Sequence, residues 1–225
     1  MYIKRVVLED LRGFRHLDFD FERPDHHYNG WTVVTGDNAA GKTAFLKAIA
    51  LALVGTDTAR ALQPSLKGWI RRDATEAVVA VEIIGGDEDK FAEGRPYKQS
   101  FWSELRLIAD LNGPEVILSV GDKYRGKCKG PKHGPWAENP TGWFAVGYGP
   151  FRRLYGASPD AQRLMVGPSR VARFATMFRE DATLGECEIW LKDLHVKKLE
   201  KREKEGRSQV SNAIEALQKE LGRMI

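Results

Sequence analysis

The chain has 225 residues, 42% hydrophobic and 29% charged, with 35 Lys and Arg against 31 Asp and Glu for a net charge of +4. That length holds one sizeable core, or one domain with an appendage, and the mild basicity permits a polyanion partner without demanding one. Two cysteines far apart, Cys128 and Cys187, exclude a disulfide framework and fit a reducing cytoplasm. No apolar run reaches the ~18 residues of a membrane-spanning helix and no signal peptide is visible, so the expectation is a cytoplasmic protein without a membrane partner.

In chain order, Tyr2 to Leu8 reads as a first strand and Arg12-Gly13-Phe14 as a turn. Leu17, Phe19 and Phe21 alternate with Asp18 and Asp20, the period of a half-buried strand antiparallel to the first. A loop from Arg23 to Gly30 leads to Trp31, Val33 and Val34, a short apolar run that predicts a buried strand. Next comes Gly36-Asp37-Asn38-Ala39-Ala40-Gly41-Lys42-Thr43-Ala44, which satisfies G-x-x-x-x-G-K-[ST]. Beyond it Phe45, Leu46, Ile49, Ala50 and Leu53 recur at helical spacing up to Val54-Gly55.

These residue types match one chemistry. Gly36 and Gly41 permit backbone angles that a Cβ would forbid, so consecutive N–H groups can turn inward around phosphate oxygens. The following helix adds unpaired N–H groups and its positive dipole end. Lys42 supplies a point charge for the β- and γ-phosphates, and the Thr43 hydroxyl is placed to ligate Mg²⁺. ATP with magnesium is the expected ligand, with Lys42 as the catalytic residue of the loop.

After the first helix a polar connection carries Pro64 and Gly68, then Ala77 to Ile84 reads as a strand stopped at Gly85-Gly86. Ser100 to Leu111 and Val116 to Val120 read as further strands around an Asn112-Gly113-Pro114 turn, giving a β-rich meander. A glycine-rich basic loop holds Lys123, Arg125, Lys127, Lys129 and Lys132, and Trp143 to Val146 predicts another strand, leading into Gly147-Tyr148-Gly149-Pro150. Cys128 and His133 make half of a metal site that no second pair completes. Past Pro150 come Arg152, Arg153, Arg163, Arg170, Arg173 and Arg179. From Leu184 the pattern is helical, with a charged run from Lys197 to Arg207. Val210, Ile214, Leu217, Leu221 and Ile225 then form an apolar stripe able to pack on another helix. The division expected is 1–150 as a nucleotide-binding lobe and 151–225 as a helical segment.

Among phosphate-loop proteins, a small GTPase needs an Asn-Lys-x-Asp motif, which is missing, and Asp110-Leu111-Asn112-Gly113 reads as a strand-ending turn. A small-molecule kinase stays open, with the arginines past Pro150 as its lid. The order strand, Arg12-Gly13-Phe14 turn, strand, loop, strand with Gly36-Asp37-Asn38-Ala39-Ala40-Gly41-Lys42-Thr43, helix resembles the N-terminal lobe of the ABC-type ATPase heads of the SMC, RecF and RecN group. The resemblance covers about the first 55 residues. It extends to ATPases of anti-phage systems of the Septu and OLD types, toward which Gly147-Tyr148-Gly149-Pro150-Phe151-Arg152 leans.

The resemblance implies an α/β head lobe, a mixed sheet with an antiparallel β-subdomain followed by a helical segment. It implies that Asn38 and Arg12 lie near the nucleotide, with Arg12 approaching its phosphates, and that DNA or a nuclease is the client. The sequence departs from the group in three respects. No glutamine stands at the expected Q-loop after Phe144, leaving Tyr148 or Arg152 to take part. The strand of four apolar residues ending in Asp-Glu has only a look-alike, Val78-Val79-Ala80-Val81-Glu82, in which Glu82 reads as structural on a surface strand of the meander. The Leu-Ser-Gly-Gly-Gln signature is missing. In the group these parts come from a C-terminal lobe or a dimer partner, so the chain reads as the N-terminal lobe of a larger, split or degenerate ATPase. As such it would be an ATP-driven switch in DNA repair or anti-phage defence, completed by a second head. The competing reading is a non-hydrolysing nucleotide-binding module that recruits a partner nuclease.

Overall fold

The computed structural model describes residues 1–24, 27–28, 30–92, 100–110, 115–137, 140–150, 156, 158–166 and 169–183. The Asn112-Gly113-Pro114 turn, Arg152 and Arg153, and the helical pattern from Leu184 to Ile225 with Cys187 lie outside the described residues.

Five strands form one sheet in the order β2-β1-β3-β4-β5: β1 Tyr2–Leu11, β2 Phe14–Asp20, β3 Glu76–Ile84, β4 Phe101–Ala109 and β5 Val116–Val120. All four pairings are antiparallel, with Val6 opposite Phe19 and Val81, and Leu8 opposite Leu17 and Val79. Strand alternation then sorts the side chains. Val6, Leu8, Val79, Val81, Leu105 and Leu107 point to one face and join the main core, while Val7, Val78 and Ala80 point to the other and pack with Trp102 and Tyr124.

Strand β3 is the middle strand, and Ala77 through Ile83 are all buried. The expectation of a surface strand around Glu82 is therefore corrected, because its neighbours β1 and β4 cover both edges. Glu82 keeps its structural role. Its carboxylate accepts from Lys4 Nζ at 3.2 Å and from the Ser100 hydroxyl.

Helix α1, Lys42–Val54, lies on the main face, with Ala48 and Ala52 fully buried where small side chains let the backbone approach the sheet. Its far end is fastened by side chains rather than a polar cap. The Ala52 carbonyl accepts from Ser103 Oγ of β4 at 2.6 Å and from Trp136 Nε1 at 2.8 Å. Arg170 Nη1 in turn donates to the Trp136 carbonyl at 2.6 Å. A short helix α2, Thr56–Leu62, occupies what reads in the sequence as a polar connection, because its buried face is only Thr58, Ala59 and Leu62. The remaining helices are α3 Gly130–His133, α4 Pro159–Val166, α5 Ser169–Ala172 and α6 Ala175–Phe178. Val171 and Phe174 reach the main core. No helix of the described residues is long and apolar enough to cross a membrane.

The basic loop after β5 is partly a structural staple. Buried Glu104, 1% exposed, accepts the backbone N–H groups of Lys123, Tyr124 and Arg125 at 3.1, 2.7 and 2.9 Å. Glu9 of β1 takes Lys123 Nζ at 2.6 Å and the Tyr124 hydroxyl at 2.7 Å. Burial pushes the Glu9 carboxyl up, but these two bonds outweigh it and hold the group below its ordinary value. The Tyr124 hydroxyl is pushed up to about 12 by burial and by its bond to Glu9. Lys127, Lys129 and Lys132 stay exposed.

Removing a buried acceptor of three N–H groups leaves all of them unpaired, so Glu104→Ala is expected to cost about 3 kcal/mol or more of unfolding free energy. Glu104→Gln, which keeps one acceptor oxygen, is expected to cost less. Denaturant unfolding measures both, and hydrogen exchange at the amides of residues 123–125 should accelerate in the same order.

Candidate functional site

The approach to the phosphate loop departs from expectation. Residues 31–36 belong to no ladder, and Trp31 and Val33 are 93% and 80% exposed rather than buried. The two edges of the sheet are β2 and β5, and neither pairs with this segment. The second predicted strand is corrected in the same way. Residues 143–149 form no ladder; the N–H of Gly147 goes to the Arg173 carbonyl at 3.0 Å, so the segment docks on the α5–α6 turn. Its exposure alternates. Trp143, Gly147 and Gly149 face inward, whereas Phe144 and Tyr148 are 66% and 57% exposed.

Between the approach segment and α1 the loop closes on itself. The Ala40 N–H donates to the Asp37 carbonyl at 3.2 Å, and Gly36, Ala39 and Gly41 have φ of 148°, 65° and 93°. Gly41 stands at the N-cap of α1 with no side-chain cap, and the first turn carries no acid. The helix therefore presents unpaired N–H groups and an uncompensated positive end to whatever the loop surrounds. Lys42 curls back into the loop, with its Nζ donating to the carbonyls of Gly36 and Asp37, both at 2.7 Å. Asp37, Asn38, Ala39, Ala40 and Thr43 are exposed around it, while Ala44 turns into the core.

The β1–β2 turn braces this loop. A Cβ on Gly41 would stand 2.7 Å from Cζ of Phe14, so both the positive φ and the ring demand glycine. A hollow of about 400 Å³ separates β2 from the approach segment, lined by Phe14, Leu17, Phe19, Val33, Val34 and Phe45. Two residues before Phe14, Arg12 has φ 51° and donates its N–H to the Trp69 carbonyl at 2.8 Å. Its guanidinium lies over the Trp69 ring, 4.5 Å from the centroid. Burial there lowers the Arg12 pKa from its ordinary value. Lys47 on α1 is lowered by burial and then by the charge of Arg12, and its ammonium sits 5.2 Å from the Phe178 ring.

The structure thus gathers Gly36 through Ala44 in one loop and sets the turn of Arg12 against it. Tyr148 lies on the separate segment packed on α6, and Arg152 is outside the described residues. Sequence reasoning missed Phe14, Trp69 and Lys47 as parts of the site. Trp69 had a signal, a lone aromatic in a polar connection, whereas Lys47 looks like any lysine on a helix face.

Gly41→Ala combines a left-handed φ with overpacking against Phe14, so a loss of about 2–4 kcal/mol in stability is expected. The same substitution in a Phe14→Leu background should cost measurably less. Urea unfolding of the four proteins checks this, and equal costs in both backgrounds would show that the ring does not brace the loop.

A family model described as an AAA domain matches residues 5–97. The DNA double-strand break repair Rad50 ATPase of Nanoarchaeum equitans is 32% identical over 88 residues, 39% of this chain and 10% of that protein. Its counterpart in Methanosarcina acetivorans is 38% identical over 56 residues, 25% of this chain and 5% of that protein. The chain thus aligns with about a tenth or less of the length of these relatives. A solved chain described under ATP-driven dimerization and DNA-stimulated activation of SMC ATPases superposes with a TM-score of 0.37 at 19% identity, covering 53% of this chain and 70% of that one. The matched span contains the hairpin, the phosphate loop, α1 and the central strand of the sheet, and it resembles the matched part of the Rad50 ATPases, which are P-loop proteins of the ABC type.

Proposed function

We propose that this chain binds Mg-ATP in the loop Gly36 to Thr43 and works as one half of a nucleotide-driven ATPase head. The observation that carries this reading is the uncapped N-terminus of α1, wrapped by a glycine loop with the Lys42 ammonium turned inward. The donor set fits a triphosphate: backbone N–H groups, one lysine, and no acid in the first helical turn. Lys42 spends two of its three N–H donors on the loop carbonyls and can offer a third to the β- and γ-phosphates. Arg12, on the turn that touches the loop, approaches the phosphates from the sheet side. The Thr43 hydroxyl, exposed at the loop, would hold Mg²⁺, which when bound supplies charge neutralisation of the phosphate tail.

Hydrolysis in this reading belongs to an assembly. Glu82 is engaged by Lys4 and Ser100 and is not available as the hydrolytic carboxylate. The segments 31–36 and 143–149, which join no strand ladder among the described residues and expose Trp31, Val33, Phe144 and Tyr148, fit a complementing lobe or second head that packs there. ATP held between the halves would favour the closed state, and its hydrolysis would release it. The similar Rad50 ATPases carry double-strand break repair in their names. A DNA client in repair or anti-phage defence, or a partner nuclease, is the proposed context, with Lys127, Lys129 and Lys132 as candidate phosphate contacts.

Titration calorimetry with Mg-ATP tests the core of this reading. The chain is expected to bind, and Lys42→Ala to weaken binding about a hundredfold, with no turnover by the chain alone. Absence of heat from well-folded protein sinks the nucleotide site. Turnover by the isolated chain that Lys42→Ala abolishes sinks the requirement for a complement, and phosphorylation of a small acceptor selects the kinase instead.

A further inference from the structure

We infer that Trp69 is a positioning residue of the nucleotide site, holding the Arg12 guanidinium over its ring on the turn that braces the phosphate loop. The inference rests on the reading of Arg12 as a phosphate contact given above.

Arg12 stands where an arginine is hard to keep in place. Its φ of 51° lies in the left-handed region, and its neighbour Lys47 carries the same charge. Burial lowers its pKa with no acid among the described residues pulling it back, so no carboxylate fixes its direction. The ring of Trp69, 4.5 Å away, supplies the compensating attraction to a cation. The contact also limits where the guanidinium can go. Held over the ring, it keeps its N–H groups free of other acceptors among the described residues and able to take phosphate oxygens in pairs.

Trp69 is itself fixed. It is 1% exposed within the main core, and its N–H donates to the Leu66 carbonyl at 3.0 Å. The stretch around it clamps both sides of the turn, since Arg12 donates to the Trp69 carbonyl, Leu11 bridges Ile70, and the Arg71 N–H donates to the Asp10 carbonyl at 2.8 Å. Asp10 shares the left-handed conformation, with φ 45°. Two left-handed residues in one turn are costly unless surrounding bonds impose them, and these bonds do. The same turn carries Phe14 against Gly41, so one rigid piece of backbone locates both the ring under the loop and the arginine beside it.

A double-mutant cycle on Mg-ATP affinity, read by calorimetry, separates positioning from plain core packing. Arg12→Ala should weaken binding about tenfold. Trp69→Leu should weaken it about three- to tenfold in the parent and leave it unchanged in Arg12→Ala. Trp69→Phe, which keeps a ring face, should retain most of the affinity. A second readout needs no large substitution. The change in tryptophan emission on adding Mg-ATP should be diminished in Trp69→Phe and in Arg12→Ala alike, and this comparison decides the matter if Trp69→Leu fails to fold. Equal weakening by Trp69→Leu in both backgrounds, or an emission change untouched by Arg12→Ala and Trp69→Phe, overturns the assignment. A silent Arg12→Ala with Lys42→Ala still abolishing binding removes Arg12 and Trp69 while leaving the nucleotide site. Silence of Lys42→Ala as well removes the site.

Discussion

The position of the phosphate loop depends on how α1 is held at its two ends. A loop of glycines and small residues has no core of its own, so its shape must be imposed from outside. At the far end of the helix, the Ala52 carbonyl is bonded by Ser103 of β4 and by Trp136, and Trp136 is bonded by Arg170. At the near end, the ring of Phe14 sits against Gly41. Between them Ala48 and Ala52 lie flush on the sheet. The antiparallel sheet thus fixes both the axis of the helix and the place where its unpaired N–H groups emerge. Without that fastening, the positive end of the helix would point at solvent instead of at the hollow of the loop.

The acids of the chain make the same point from the other side. Glu82, Glu104 and Glu9 are all on the sheet, and all are occupied: by Lys4 and Ser100, by three backbone N–H groups, and by Lys123 with Tyr124. They secure the sheet and the loop after β5. The loop around Lys42, by contrast, has basic groups and backbone donors without an acid in the first turn of α1. These three carboxylates are spent on architecture, and with Lys42 and the uncapped helix end the first turn of α1 stays suited to an anion.

Much of this was legible before the fold was known. The loop Gly36 to Thr43, the helix to Val54, the hairpin of β1 and β2 and the meander of β3 to β5 follow from local signals: glycine spacing, helical periodicity and two-residue alternation. Helix α2 was not legible because one short turn of Ala59 and Leu62 carries too little period. The bracing of Gly41 by Phe14 and the stacking of Arg12 on Trp69 join residues 27 and 57 positions apart in the chain, and local patterns say nothing about such pairs. The basic loop shows the same limit. Its lysines and arginines look alike in sequence, yet Lys123 is paired to Glu9, 114 positions away.

The two misread strands have one physical cause. Trp31, Val33 and Val34, and likewise Phe144 and Val146, carry the composition of buried strands, yet neither segment forms a strand in the sheet. The expected burial failed with it. β-Branched and aromatic side chains are selected for packing on a pleated surface, and leaving several of them in water forfeits about 1.5–3 kcal/mol each. A scatter of single exposed residues would mean nothing, but these lie along two segments that join no strand ladder among the described residues. One backbone runs directly into the phosphate loop, at Gly36. A lobe that paired with it would add strand hydrogen bonds, cover the apolar side chains and bring new side chains up to the Lys42 ammonium in a single step. In the proposed reading, completing the core and completing the catalytic site would be the same event, which is what coupling nucleotide occupancy to association of the two halves requires.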